Sequence, residues 1–309
     1  MKVIEHVQST VEALPHVVLT VGSFDGVHRG HRRVLDHVVR VARQHQGTAT
    51  VMTMRPHPRE LFSPEHAPNL LTSEGKKLDL LEQAGVDVVF LLAFTREVAD
   101  LAPRAFVAQY VLERCRAHDV IVGHDFRFGK GGLGDYHYLQ SAGAEFGFNV
   151  SQVPPLIIDG ERVSSTAIRE RLLEGDLDKA ETFLGRKYSV IGKVVPGRGI
   201  GLKLGFPTAN IKPYHTAVPA QGVYAAQVRL ANAIYPAAVN IGIAPTVRHE
   251  DAVIEAFLLD FDDDIRGRDI EIVFHKRLRP EKKFASYEAL SDAIRHDVEV
   301  VRDCVAAHP

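Results

Sequence analysis

The sequence predicts an α/β fold in two parts: a parallel sheet with helices on both faces, then an antiparallel β-barrel that ends in a helix. Up to about residue 185, apolar strand-like segments alternate with amphipathic helical ones, which is typical of a parallel sheet. Beyond that point, strand-like segments follow one another over short connections that contain Gly, Pro and Asn. A length of 309 residues also exceeds one typical core. We therefore predict one domain over residues 1–185 and a second over residues 186–309.

The composition is ordinary for a globular protein in water. Hydrophobic residues make up 45% and charged residues 25% of the chain, and the formal net charge is −2. This balance indicates neither a nucleic acid nor a membrane as a partner. With Cys115 and Cys304 as the only cysteines, neither a disulfide framework nor a cysteine zinc site is credible. The N-terminus lacks a signal-peptide core and no apolar run reaches the ~18 residues of a membrane span, so we expect a cytoplasmic protein.

The first part is predicted to alternate strands and helices. Strands are predicted at residues 17–21, 48–54, 86–92 and 120–122, and a fifth apolar segment ends near Ile158. Helices are predicted after the first strand, near residues 77–84, from Pro103 onward and near residues 138–146. In such sheets the ligand lies beyond the carboxyl ends of the strands, and the loops considered below all follow strands.

One glycine-rich turn lies between the first apolar strand and its helix, and it contains Gly22, Ser23, Phe24, Asp25, Gly30 and the pair His28 and His31. Glycines let the backbone turn sharply and approach a ligand closely. The free N–H groups of a helix start attract anions, and residues three apart lie on roughly one face. We interpret the turn as a site for a phosphate chain rather than a metal. The alternative is that these are ordinary surface histidines, two of the 16 in the chain.

A second helix start follows at residues 163–169. Ser164 or Ser165 can cap it, and Ile168 and Leu172 supply its apolar side. The hydroxyls of this segment, together with Arg169, can hold a triphosphate from the opposite side. The other interpretation is a well-capped helix with an exposed arginine, and both remain open at this point.

The second part is predicted to be strands and one final helix. Strands are predicted at residues 188–195, 222–230, 234–241, 253–261 and 269–278. The final helix, at about residues 287–305, has Leu290, Ile294, Val298 and Val301 on one face.

The glycine-rich stretch at residues 192–210 lacks the Gly-Lys-Ser/Thr ending of a Walker loop. Its glycines, among them Gly197, Gly201 and Gly205, can still offer backbone N–H groups to phosphates. It ends in Gly-Phe-Pro-Thr-Ala-Asn, where the Thr208 hydroxyl and the Asn210 carboxamide are acceptable oxygen ligands for Mg²⁺.

Glu255 lies in a mostly apolar strand. Alternation places it on the face of Val253 and Phe257, a costly position for an unpaired carboxylate. It is therefore either a satisfied structural group or a general base. The acidic run at residues 260–264 is predicted to be a solvated turn.

Together and in this order, the histidine turn, the Ser-Ser-Thr-Ala-Ile-Arg helix start and the Gly-Phe-Pro-Thr-Ala-Asn segment resemble the prokaryotic bifunctional riboflavin kinase/FMN adenylyltransferases, also called FAD synthetases. The likeness extends to residues 55–58, 123–129, 240–246 and 278–284. It implies a Rossmann-like nucleotidyltransferase domain that transfers AMP from ATP to FMN, giving FAD and pyrophosphate. It also implies a barrel domain that phosphorylates riboflavin with ATP and uses Mg²⁺.

The resemblance also implies roles for single residues. His28 and His31 would hold ATP phosphates, and Ser164, Thr166 and Arg169 match a second phosphate-binding element. His57 and Asp125 lie in loops that match the flavin side. In the barrel, the resemblance places the Mg²⁺ ligand at Thr208, with Asn210 beside it, and the catalytic base at Glu255.

Three departures from the family pattern concern the kinase half. Leu202 stands where an arginine is common, Phe257 where a histidine is frequent, and Ile265-Arg266 where Leu-Tyr is usual. They bear on kinase rate and flavin affinity more than on the fold.

Three other functions agree with parts of the sequence but not with all of it. A pantetheine-phosphate or nicotinate-mononucleotide type of nucleotidyltransferase shares the histidine turn but leaves the barrel unexplained. A class I tRNA synthetase would need a Lys-Met-Ser-Lys-Ser-like loop, which we do not find. A flavin-binding sensor with a decayed active site is opposed by the presence of His28, His31, Thr208, Asn210 and Glu255.

Overall fold

The computed structural model describes residues 1–5, 14–197, 201, 205–214, 216–243, 252–282 and 284–306. The chain divides into two compact units. Residues 1–68 with 74–164 form the first unit, and residues 69–73 with 165–309 form the second. The predicted functional boundary near residue 185 stays a prediction, since a packing unit and a functional domain need not end at the same residue.

The first unit contains a six-stranded parallel sheet, which confirms the prediction, in the order β1-β4-β3-β2-β5-β6. The strands are β1 Lys2–Ile4, β2 Val17–Val21, β3 Thr48–Arg55, β4 Val88–Ala93, β5 Ala117–Gly123 and β6 Asn149–Val153. The apolar segment expected to end near Ile158 is instead two elements. β6 ends at Val153, and a short hairpin of β7 Ile157–Ile158 and β8 Glu161–Arg162 follows.

Helices cover both faces of this sheet. They are α1 Arg29–Gln44, α2 Pro58–Phe62, α3 Glu74–Gln83, α4 Arg96–Ala99, α5 Pro103–Phe106, a π-helical segment Val107–Arg114 and α6 Tyr136–Phe146, with 3₁₀ turns at Pro64–His66 and Lys130–Gly132.

The position of β2 explains its uninterrupted apolar sequence. Val17, Leu19 and Val21 join the core on one face of the sheet, while Val18 packs on the other face with Val38 of α1. All five residues of the strand are buried because helices cover both sides. The turn that leaves β2 is therefore fixed at both ends, by the strand and by α1.

The second unit begins with two helices and continues as a closed six-stranded antiparallel barrel, in the order β10-β13-β12-β11-β14-β9. Its elements are α7 Ser165–Glu174, α8 Leu177–Leu184, β9 Ser189–Val195, β10 Ala209–Pro213, β11 Gly222–Leu230, β12 Ala233–Ile243, β13 Ala252–Leu258, β14 Asp269–Arg279 and the terminal helix α9 Tyr287–Ala306. The predicted barrel and final helix are confirmed. The sequence prediction missed β10, which lies at the end of the glycine-rich stretch and closes the barrel between β9 and β13.

The apolar face predicted for the final helix has two roles along its length. Near its C-terminal end, Val301 is fully buried and packs with Val298 against the barrel core. Nearer its start, Leu290 and Ile294 line a cavity. The same apolar face therefore anchors the helix on the barrel and lines part of the cavity.

Candidate active sites

The turn after β2 has an unusual backbone. Phe24, Gly26 and Val27 all have positive φ, at 49°, 82° and 37°. The Val27 N–H donates to the Phe24 carbonyl at 3.1 Å, and the side chains of Phe24 and Val27 are buried. Two non-glycine residues in this region store strain, which folded proteins keep where the surroundings fix the conformation. The conformation carries the chain from the buried strand directly into the start of α1.

His28 is the N-cap of α1. Its Nδ1 accepts the backbone N–H of His31 at 3.2 Å, in the way that Ser or Asp caps a helix. An accepting Nδ1 carries no proton, so the proton of neutral His28 is on Nε2, which can donate to a ligand. The rings of His28 and His31 stack with centroids 3.6 Å apart, and Phe24 lies 5.1 Å from His31. The structure thus brings the predicted pair together at a helix start.

His31 has an unsatisfied buried nitrogen. Its Nδ1 is inaccessible to solvent and has no hydrogen-bond partner among the described residues. Burial lowers the pKa of His31 to about 3, so the imidazole is neutral at pH 7. A buried polar atom without a partner is costly, so His31 Nδ1 is a candidate contact for a ligand at the helix start.

The sequence analysis missed Lys77, a residue of α3 beside this turn. Lys77 Nζ donates to Thr53 Oγ1 at 3.3 Å, and Thr53 Oγ1 donates to the Ser23 carbonyl at 3.2 Å. Burial lowers the pKa of Lys77, and the nearby carboxylates of Glu74 and Asp25 partly oppose that effect. Asp25 of the turn is itself buried, so a lysine of α3 and a buried carboxyl group of the turn act on each other electrostatically. No short motif links residues so far apart in sequence, so only the fold identifies Lys77.

Two further loops meet the turn at the same edge of the sheet, because β3 and β5 flank β2 in parallel. His57 follows β3, and its Nδ1 accepts the Arg59 N–H at 3.2 Å as the N-cap of α2. Asp125 follows β5 and pairs with Arg162, a residue to which the sequence analysis gave no role. Their flavin-binding roles stay predictions.

The second predicted phosphate element begins at the end of the first unit. A Cβ added at Gly30 would lie 3.5 Å from the Val163 carbonyl oxygen, so the start of α1 packs closely against the residue before Ser164. In the second unit, α7 carries exposed Thr166 and half-buried Arg169. Arg169 Nε donates to the Asn69 carbonyl at 2.8 Å within the second unit, and both interpretations of this helix start stay open.

The barrel places the predicted kinase residues in neighbouring strands. Glu255 of β13 is directly opposite Asn210 of β10 on one side and Asn240 of β12 on the other. Directly paired residues project from the same face of a sheet, so the carboxylate lies between two carboxamide residues. On the opposite face of β13, Ile254 and Ala256 are completely buried, whereas Glu255 is only half-buried. The alternation prediction for Glu255 is confirmed.

A cavity of about 680 Å³ lies between this face and α9, and Thr208, Asn240 and Glu255 all line it. Phe257 also lines it and packs edge-to-face on Phe206, with ring centroids 5.5 Å apart. The departure from histidine at this position therefore adds an aromatic wall. Leu202, which departs from the family pattern in the glycine-rich stretch, lies outside the described residues.

Two of the three predicted glycines, Gly197 and Gly201, lie where a side chain would have no room. A Cβ at Gly197 would lie 2.0 Å from Asn210 Nδ2, and one at Gly201 would lie 2.3 Å from the Phe206 carbonyl oxygen and 3.1 Å from Thr208 Oγ1. Both glycines thus allow the chain to lie directly against the proposed Mg²⁺ ligands. Gly205 is exposed in the turn before Phe206.

An ion pair fixes the far wall of the cavity. Arg279 at the end of β14 donates to buried Asp297 of α9, with Nη2 and Oδ2 2.8 Å apart. The Arg279 guanidinium also lies over the Phe284 ring, 5.5 Å from its centroid. The sequence analysis gave these residues and Asn240 no role, because a pair 18 residues apart in two different elements leaves no periodic signal.

The acidic run forms a surface turn, as predicted. Arg266 donates to both carboxylate oxygens of Asp264 and lowers the pKa of Asp264 to about 2. Ile265 beside it is buried, so the Ile265-Arg266 departure supplies a core residue and an ion pair.

Comparison with known proteins agrees with this geometry. A family model described as FAD synthetase matches residues 10–167, and one described as riboflavin kinase matches residues 184–305. The bifunctional riboflavin kinase/FMN adenylyltransferase of Escherichia coli K12 is 39% identical over 287 residues, covering 93% of this chain and 92% of that protein. The protein of the same name from Haemophilus influenzae is 36% identical over 303 residues, covering 98% of both.

A crystal structure from Streptococcus pneumoniae, described as a macrolide-efflux protein, has the same fold. Its TM-score is 0.88 at 29% identity, and the match covers 98% of this chain and 99% of that chain. In the part of this chain that the structure describes, no helix has the length and apolar character needed to cross a membrane.

The pKa of His31 predicts a pH effect on stability. The folded pKa of about 3 lies below the ordinary 6.5, so the unfolded chain binds the proton first. This contribution is present above pH 6.5 and is lost as the pH falls toward 3. Lowering the pH from 7 to 5 should therefore cost up to about 2 kcal/mol through this residue. Urea unfolding of the wild type and of His31→Gln at both pH values measures it.

The variant should be less sensitive to this pH change than the wild type. Replacing exposed His137 by Gln provides the control for loss of an imidazole elsewhere. Equal pH dependence in His31→Gln and the wild type would show that His31 is readily protonated in the folded protein.

Proposed function

The chain belongs to the family of bifunctional riboflavin kinase/FMN adenylyltransferases, and from that premise we propose which of its residues perform each of the two reactions. It phosphorylates riboflavin with ATP to FMN, and it adenylylates FMN with a second ATP to FAD. We assign the adenylyltransferase domain to residues 1–185 and the kinase domain to residues 186–309. The start of the barrel at β9, Ser189–Val195, supports this boundary.

In the adenylyl transfer, an oxygen of the FMN phosphate attacks the α-phosphorus of ATP in line, and the bond to pyrophosphate breaks. No covalent bond to the protein is needed, so positioning and charge stabilisation supply the catalysis. The α1 N–H groups and His28 Nε2 would donate to the phosphates, since Nδ1 is already occupied by capping. The observation that carries this proposal is the buried His31 Nδ1, which lacks a partner among the described residues.

Both imidazoles would act here as hydrogen-bond donors and acceptors rather than as cations. His31 is neutral because burial lowers its pKa to about 3. The positive charge that the triphosphate needs would then come from the helix dipole and from Lys77, which is bonded to the turn through Thr53. We propose that Ser164, Thr166 and Arg169 bind the phosphates as well, and that His57 and Asp125 contact the flavin.

In the kinase reaction, Glu255 would accept the proton of the ribityl 5′-hydroxyl as that oxygen attacks the γ-phosphorus of ATP. Its position supports this role: it is half-buried, lines the cavity and lies between Asn210 and Asn240. The aromatic wall of Phe206 and Phe257 would pack against the flavin.

We propose that the kinase site uses Mg²⁺, held by Thr208 and Asn210. The hydroxyl and carboxamide oxygens are hard donors that fit this ion, and both residues lie against glycines that leave room beside them. The bound ion would neutralise phosphate charge. Gly197, Gly201 and Gly205 would place their backbone N–H groups beside the same phosphates. A cytoplasmic location is also part of the proposal, supported by Cys115 and Cys304, which are not joined in a disulfide.

Replacing both His28 and His31 by Ala should abolish FAD formation, because the helix start loses its cap and its imidazoles. FMN formation from riboflavin should be largely unchanged. Chromatography of the products from riboflavin, ATP and Mg²⁺ measures both. The control His37→Ala, also on α1, should retain both activities; loss of FMN formation in a folded double variant would contradict separate sites.

Replacing Lys77 by Met should raise the KM for ATP in FAD synthesis about tenfold, because one charge-assisted hydrogen bond contributes roughly 1.5–3 kcal/mol. The adjacent Lys76→Met variant is the matched control. Initial rates of FAD formation against ATP concentration separate KM from kcat. An unchanged KM would show that Lys77 only packs beside the turn.

Replacing Glu255 by Gln should lower kcat for FMN formation by about 10²–10⁴-fold, the usual contribution of a general base. The carboxamide keeps the shape, so the barrel should remain folded. The control variant is Asp263→Asn, which removes an exposed carboxylate near the same strand. It tests whether loss of a negative charge alone lowers the rate. A Glu255→Gln rate within a few-fold of the wild type would exclude Glu255 as the base.

A further inference from the structure

Three side chains of metal-ligand type meet at the edge of the parallel sheet opposite to the phosphate turn. They are His16, directly before β2; His45, directly after α1; and Asp119, near the start of β5. One ligand atom from each lies within 4.8 Å of those of the other two. β2 and β5 are parallel, so both strands begin at this edge of the sheet. α1 starts near the opposite, carboxyl edge and ends at this one. Neither reaction described above uses these residues.

Specific contacts hold this cluster together. His16 Nε2 and Asp119 Oδ2 are 2.6 Å apart, and the His16 ring stacks on that of His45 with centroids 4.2 Å apart. On its other side, His16 stacks on His118 at 4.6 Å, and His118 Nδ1 accepts the Val17 N–H at 3.2 Å. Asn149 Nδ2 donates to Asp119 Oδ1 at 3.0 Å. The carboxylate therefore presents one oxygen to the histidines while the other is held from behind.

The backbone of His16 is also constrained. Its φ is 29°, a region that non-glycine residues rarely adopt. The Thr48 N–H donates to the His16 carbonyl at 3.2 Å, and a Cβ at Gly47 would lie only 2.2 Å from that oxygen. A strained conformation kept by such close packing points to a position with a specific task.

We propose that His16, His45 and Asp119 bind one Zn²⁺ ion. Two imidazoles and a carboxylate are a common zinc set, and a water molecule would complete four-coordination. The ion would take the place of the hydrogen bond between His16 Nε2 and Asp119 Oδ2, and their 2.6 Å separation would open to about 3.4 Å for tetrahedral geometry. The two stacked rings would tilt so that their nitrogens converge on the ion. Asn149 would not bind the ion itself, but its hydrogen bond to Asp119 Oδ1 would orient the carboxylate.

The location gives the ion a structural consequence. β2 and α1 together carry the phosphate turn, and β5 carries the loop of Asp125. A cation that joins the far ends of all three would stabilise this part of the first unit without touching the nucleotide. Exposed His45 leaves the site accessible to solvent, so Zn²⁺ can bind to the folded protein. The proposal does not depend on the assignment of the two reactions.

Calorimetric titration of the metal-free full chain with Zn²⁺ tests the proposal, in the absence of nucleotide and flavin. The wild type should bind one equivalent that His45→Ala and Asp119→Asn lose or bind at least tenfold more weakly. His37→Ala, also on α1, should retain it, as should the double variant His28→Ala with His31→Ala. The thermal unfolding temperature should rise with Zn²⁺ in the wild type and by less in the two site variants.

Equal Zn²⁺ affinity and stoichiometry in the wild type and in folded His45→Ala would overturn the proposal. So would loss of the equivalent in the His28 and His31 double variant, because the ion would then bind at the phosphate turn. Since His45 is exposed, its replacement should leave the fold intact, and circular dichroism checks this. If Asp119→Asn does not fold, the comparison of His45→Ala with His37→Ala still decides.

Discussion

The hydrogen bond from the His31 backbone N–H to His28 Nδ1 links the fold of the first unit to its chemistry. It starts α1, whose buried side then packs on β2 and fixes the strained turn between them. It also fixes the tautomer of neutral His28, with Nδ1 as acceptor and the proton on Nε2. The His31 ring stacks on His28, and desolvation lowers the pKa of His31. The proposed phosphate site is thus built from preorganised imidazoles at the positive end of a helix.

The kinase half depends on a comparable constraint, strand register. Asn210, Glu255 and Asn240 lie side by side because β10, β13 and β12 pair in one register, and a shift by a single residue would turn Glu255 into the barrel interior. The Arg279–Asp297 pair then holds α9 across the cavity. Strand pairing therefore positions Glu255, the proposed base, and the ion pair keeps the opposite wall of the cavity in place.

Periodic and local features were predictable from sequence. The run Val17–Val21 predicted a doubly covered strand, and the histidines and glycines predicted two phosphate sites. Alternation predicted the face of β13 on which Glu255 lies. Features that depend on a single contact between residues far apart in the sequence were not predictable. Lys77 reaches the turn through Thr53, Arg279 pairs with Asp297, and β10 is short and begins inside a Pro- and Gly-rich segment. None of these has a repeating pattern, because tertiary packing alone creates them. The resemblance to a family supplied the flavin, which no residue pattern specified by itself.

The central claim is that one chain converts riboflavin to FMN and then FMN to FAD, at two chemically distinct sites. A time course of the purified wild type with riboflavin, ATP and Mg²⁺, followed by chromatography, tests it most directly. The account predicts that FMN forms first and that FAD follows after a lag, with pyrophosphate released in equal amount to FAD. Stoichiometric flavin binding without any FMN or FAD would contradict it and would identify a flavin-binding protein that has lost both activities.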